Sequence, residues 1–109
     1  MARSHPVPAH DGEVSRAHLG LLTLDLHLPA CTSLKEKRRI LRGCVESIRS
    51  RLHLAVAEVG HHDLHQRAVI AVAAVGPERL EVERALQRAL AMAEEREGAE
   101  VCGWTLEWR

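Results

Sequence analysis

The run from His18 to Leu28 alternates in character. Leu22, Leu24, Leu26 and Leu28 lie on one phase, and Leu21, Thr23, Asp25 and His27 on the other. A period of two residues predicts a strand with one buried face. Pro29 ends it, and after a short loop through Cys31 and Thr32 the period changes. Leu34, Leu41, Val45, Ile48 and Leu52 share a narrow stripe at 3.6 residues per turn, which predicts an amphipathic helix to about Arg51. Burying each of these side chains would contribute roughly 1.5–3 kcal/mol. Ser33, three residues before Glu36, forms a capping-box pattern in which each side chain satisfies an orphan amide of the first turn. His53 to Val59 reads as the second strand, Gly60-His61-His62-Asp63 as a hairpin connection, and Gln66 to Val75 as a third strand, apolar on both faces. Gly76-Pro77 starts a second helix with proline in its first turn and an inward stripe of Val82, Leu86, Ala89 and Ala93; Leu80 falls off that stripe. Gly98 closes it, and Glu100 to Trp108 is the last strand, with Cys102, Trp104, Leu106 and Trp108 in phase.

Strand-helix-strand twice over is the ferredoxin-like β-α-β-β-α-β plan, an α+β fold. Right-handed crossovers place both helices on one face of a four-stranded antiparallel sheet, with the first and third strands in the middle. The other face stays open, carrying Thr23, Asp25 and His27 beside valines and alanines of the second and third strands. A half-apolar face of that size predicts a homodimer that covers it.

Composition narrows the function classes. The 109 residues suit one domain, placed at 17–109, and residues 1–16, with two prolines and no apolar h-region, are expected to be a disordered leader rather than a signal peptide. No apolar run approaches the roughly 20 residues that cross a bilayer, so a cytoplasmic protein without a membrane partner is expected. Fifteen Lys and Arg balance fifteen Asp and Glu, so affinity for nucleic acid has to come from the distribution of charge. With no Phe or Tyr and only Trp104 and Trp108, stacking of bases on an aromatic platform is nearly excluded. Cys31, Cys44 and Cys102 are isolated and odd in number, which argues for thiols in a reducing compartment rather than a disulfide frame or zinc site.

The charge is concentrated on the first helix. Lys35, Arg39, Arg42 and Arg49 share one flank, interrupted mainly by Glu46, with Lys37 and Arg38 at the two edges of the apolar stripe. Six of the fifteen cations between Lys35 and Arg49 of one helix, without stacking aromatics, point to contact with RNA phosphates; the alternative is a solvated helix face. Two smaller constellations carry other chemistry. His61, Asp63 and His65 have a spacing compatible with a divalent metal, which would suit a small metal-assisted hydrolase. Asp25 and His27, two apart on one strand, could pair a carboxylate with a general base, although no nucleophile is placed beside them. Glu58, near the end of an apolar strand, is expected to pair with Arg67. The loop Pro29-Ala30-Cys31-Thr32 lacks the glycines of an acylphosphatase cradle and the paired cysteines of metal-carrying domains of this plan, and the central strands lack the aromatics of RNA-recognition motifs.

The segments Leu24-Asp25-Leu26-His27-Leu28-Pro29, Ser33-Leu34-Lys35-Glu36-Lys37-Arg38-Arg39, Val56-Ala57-Glu58-Val59 and Asp63-Leu64-His65-Gln66-Arg67-Ala68 resemble the bacterial YlxP family, also called DUF503. The likeness runs from about Leu19 to Trp108, the Ser-Leu-Lys-x-Lys-Arg run being its most specific part. It implies a ferredoxin-like cytosolic protein without an established activity or cofactor. Genes of the family commonly lie among those for translation-initiation factor two and ribosome-binding factor A, which implies a role near ribosome assembly or translation. Where many members carry an acid and an aromatic in the hairpin, this chain has Gly60 and His65. The expectation drawn from all of this is a non-enzymatic domain binding RNA or a ribonucleoprotein through its first helix, with a purely structural dimerisation module as a further alternative.

Overall fold

The computed structural model describes residues 16–109; the expected leader, apart from Arg16, lies outside the described residues. The elements are β1 (His18–His27), α1 (Leu34–Leu52), β2 (Ala55–Gly60), β3 (Arg67–Gly76), α2 (Arg79–Glu94) and β4 (Glu100–Trp108). The sheet is antiparallel with order β2-β3-β1-β4, so β1 and β3 are central and β2 and β4 form the edges. This is the ferredoxin-like arrangement. No described helix is long and apolar enough to cross a membrane.

The leucine phase of β1 faces the helices. Leu22, Leu24, Leu26 and Leu28 pack with Ala68, Ile70, Val72 and Ala74 of the β3 segment under Leu41, Ile48, Val82, Leu86, Ala89 and Ala93. Gly20 lets α2 approach β1 closely, since a Cβ there would meet Leu86 and Val82. The helical stripe of α1 is broader than its leucines suggest: Ile40 and Cys44 are buried, while Leu34, Val45 and Leu52 are only partly so.

Two boundaries and one register differ from the sequence pattern, each for a local reason. His53 takes a left-handed conformation at φ 55° and caps α1, so β2 begins at Ala55 rather than His53. Pro77 precedes α2 instead of sitting in its first turn; Glu78 is the N-cap and makes no side-chain capping bond. In β4, the register against β1 shifts between Asp25 and Leu26, so that Gly103 faces Asp25 but Val101 faces Leu26. This bulge throws Cys102 out of the phase expected for it and puts Val101 against the core in its place. Trp104 remains about half exposed, and Leu80 has no core partner.

Candidate nucleic-acid interface

Helix α1 starts where its cap dictates. The Ser33 hydroxyl accepts from the Glu36 amide at 3.1 Å, but the Glu36 carboxylate reaches one residue beyond the cap, accepting from the Thr32 amide and hydroxyl, both at 3.3 Å. The orphan donors are thus satisfied by a variant of the expected box. From this start, 100° per residue carries Arg38, Arg42, Arg49 and Lys35 onto the flank that overhangs β2, with Arg39 pointing further outward. All five are exposed.

That flank and the sheet edge enclose a groove of about 360 Å3. Leu41, Val45 and Val56 form its apolar floor, Arg38, Arg42 and Arg49 stand along it, and Ala57 and Glu58 complete the β2 side. Arg49 Nη2 donates to the Val56 carbonyl at 2.9 Å, which holds the guanidinium over the edge and occupies one carbonyl of an otherwise open strand. Among the described residues, Lys35, Arg38, Arg39 and Arg42 form no salt bridge. Five cations therefore face two carboxylates of the same helix, Glu36 and Glu46, and Glu36 is engaged at the cap.

Lys37 does not belong to this ridge. It is 2% exposed, and its ammonium donates to the carbonyls of His61 at 2.6 Å and Leu64 at 2.7 Å, with Glu58 Oε2 at 3.9 Å. A lysine one turn from both Leu34 and Leu41 lies within the apolar stripe, and the bare carbonyls of the β2–β3 connection are what repays the burial of its charge. Glu58, on the helix side of β2, pairs with His62 at 2.8 Å and with Lys37, not with Arg67. Arg67 is directed to the other face because it stands opposite His27. His62, to which the sequence assigns no role, thereby completes the anchor of the hairpin.

The other candidates stay apart. His61, at φ 58°, Asp63 and His65 are all exposed on the connection, and among the described residues no three His, Cys, Asp or Glu side chains converge to hold a metal ion. Asp25 and His27 share the open sheet face, but the carboxylate nearest the His27 ring is Glu100, its Oε2 3.6 Å from Nδ1. Cys31 and Cys44 are buried, and loss of hydration pushes both thiols above their ordinary pKa; Glu36 adds to the effect at Cys31, while Arg96 opposes it at Cys44. Neither is an activated nucleophile.

Comparison with known proteins adds a family. A family model described as a protein of unknown function, DUF503, matches residues 19–105. The uncharacterized protein YlxP of Bacillus subtilis (strain 168) is 37% identical over 59 residues, a match that spans 54% of this chain and 64% of the length of that relative. Among solved structures, SnoaB, a cofactor-independent oxygenase from Streptomyces nogalater, is similar with a TM-score of 0.47 and 9% identity, over 84% of this chain and 90% of that one. A dimeric ferredoxin-like protein from an uncultured marine organism is similar with a TM-score of 0.46 and 15% identity, over 86% of each chain.

Proposed function

The chain belongs to the DUF503 family, whose function is unknown, and on its own surface chemistry we propose that it is a cytoplasmic, non-enzymatic domain that binds RNA phosphates in the groove between α1 and the β2 edge. The observation that carries this reading is the set of exposed cations, Lys35, Arg38, Arg39, Arg42 and Arg49, on one flank of a helix in a chain of zero net charge. Arginine forks suit phosphate oxygens, and the absence of stacking aromatics favours recognition of backbone and shape over base identity. A structured RNA such as ribosomal RNA, alone or in a ribonucleoprotein, is the class of partner that meets these terms.

If about four phosphates are contacted at once, log affinity should fall against log salt with a slope of about −3 to −4. Replacing Arg38 and Arg42 together by Ala should weaken binding to all RNAs about equally and flatten the slope by up to about two units. The side chains are exposed, so folding should be retained. Absence of salt-dependent binding to ribosomal RNA, or a double variant as tight as the parent, would return the ridge to the role of a solvated helix face.

The open sheet face supports a second part of the proposal, a homodimer. Leu19 and Val75 stand opposite one another there and are 38% and 69% exposed, and the pairs Ala57–Ala71 and Ala55–Ala73 continue an apolar surface from central β3 to the β2 edge. Of the charged groups on this face, Arg67, His27 and Glu100 gather at one end near Asp25, while Glu107, opposite Leu21, lies at the other end. A second copy would cover the apolar part and leave the α1–β2 groove of each protomer accessible, because the helices lie on the other side of the sheet.

A further inference from the structure

A separate concavity lies on the opposite flank of α1, in the seam between the two helices. Cys44, Ser47 and Arg51 of α1 and Met92, Glu95 and Arg96 at the end of α2 line a pocket of about 180 Å3 whose wall is more polar than apolar. None of the six lines the α1–β2 groove. The volume accommodates a small polyatomic ion with some of its water.

Its construction is specific. Gly43 stands in the middle of α1, where any Cβ would collide with the Arg96 guanidinium. Glycine leaves this stretch of the α1 backbone bare, and the guanidinium, the movable end of a long side chain, lies against it. Arg96 Nε is buried there without a hydrogen-bond partner, the only such side-chain atom among the described residues. A guanidinium dehydrated along one edge and unpaired on it interacts more strongly with an anion at its remaining donors, because water no longer screens the charge fully. Arg51, in the last turn of α1, adds a second cation to the wall, and the Ser47 hydroxyl a further donor. The Cys44 thiol stays neutral near pH 7, since burial holds its pKa high, and contributes no opposing charge. Glu95 is the one carboxylate in the wall and limits the affinity.

We propose that this pocket binds a phosphate-sized oxyanion between Arg96 and Arg51. The ligand is either free phosphate or the phosphate of a phosphoester. Two arginines line this wall, and the planar forks of their donors suit such an ion.

The full chain, labelled with nitrogen-15, should be titrated separately with inorganic phosphate and with adenosine monophosphate. Saturable shifts of the backbone amides at residues 43–51 and 92–96 are expected with at least one of them, at millimolar affinity, and the stronger ligand identifies the source of the phosphate. Arg51→Gln, an exposed change, should weaken the response about tenfold, and Glu95→Gln should strengthen it several-fold; both variants should retain the amide spectrum of the parent. The proposal is overturned if neither anion gives saturable shifts in these segments, if shifts occur only along residues 35–42, or if the two substitutions leave the affinity unchanged.

Discussion

Lys37 shows how little a residue's type says about its work. It sits within one turn of Lys35, Arg38 and Arg39, yet those three lie in water while Lys37 is enclosed and donates to two carbonyls of the β2–β3 connection. Hydrogen bonds to a charged group are worth about 1.5–3 kcal/mol each, less whatever the carbonyls regain from water when released. Lys37→Met, which keeps the stem and removes the ammonium, should therefore destabilise the fold by about 2–3 kcal/mol and lower the thermal midpoint by roughly 10 °C or more. The same variant, measured below its own transition, should keep the salt slope of RNA binding. A loss of slope equal to that of the Arg38 and Arg42 variant, with no loss of stability, would put Lys37 back on the ridge. Its position was legible in part: a lysine three residues after Leu34 and four before Leu41 is on the buried phase of the wheel, but its acceptors lie 24 and 27 residues away and become visible only in the fold.

At the scale of elements, α1 is the best-specified piece of the chain. Ser33 caps it, Glu36 braces the residue before the cap, and the left-handed His53 ends it. Ser33→Ala should cost about 1 kcal/mol, with peptide-like contexts nearer 0.5 and buried caps nearer 2. Chemical denaturation should show a lower midpoint at unchanged slope. An unaltered midpoint would mean that packing against the sheet, not the cap, holds the first turn. The helix also illustrates what periodicity leaves open. It separates the buried stripe from the polar flanks, but whether the cationic flank overhangs an exposed strand or a second helix depends on where β2 lies. β4 makes the complementary point. Strict alternation puts Cys102 in phase with Leu106 and Trp108, and the bulge opposite Asp25 and Leu26 breaks that phase, because one extra residue in a ladder moves every side chain beyond it to the other face.

For the whole molecule, the balance of covered and uncovered surface governs assembly. Four strands at about 4.8 Å spacing, of 10, 6, 10 and 9 residues at about 3.3 Å rise, give the open face a projected area of roughly 550 Å2, close to the roughly 800 Å2 of accessible surface that each partner of a standard interface contributes once side-chain relief is counted. Sedimentation equilibrium at micromolar concentration should give about twice the chain mass of 12.1 kDa. Replacing Ala71, near the centre of the face, by Lys should shift the population to monomer; a parent that stays monomeric at high concentration would refute the dimer. The element order, the two helical stripes, the leucine face of β1 and the two-sided character of β3 were determined by the sequence alone. Hydrophobic period and capping are properties of residues close together in the chain, so they can be read without knowing any long-range contact. The tertiary structure decided which lysine is buried, that Glu58 pairs with His62 rather than Arg67, that the hairpin histidines and Asp63 do not converge, and that Arg38, Arg42 and Arg49 share a groove with β2. Each of these depends on the distance between segments far apart in the chain, and that distance is set by how the sheet registers and how the helices lie across it.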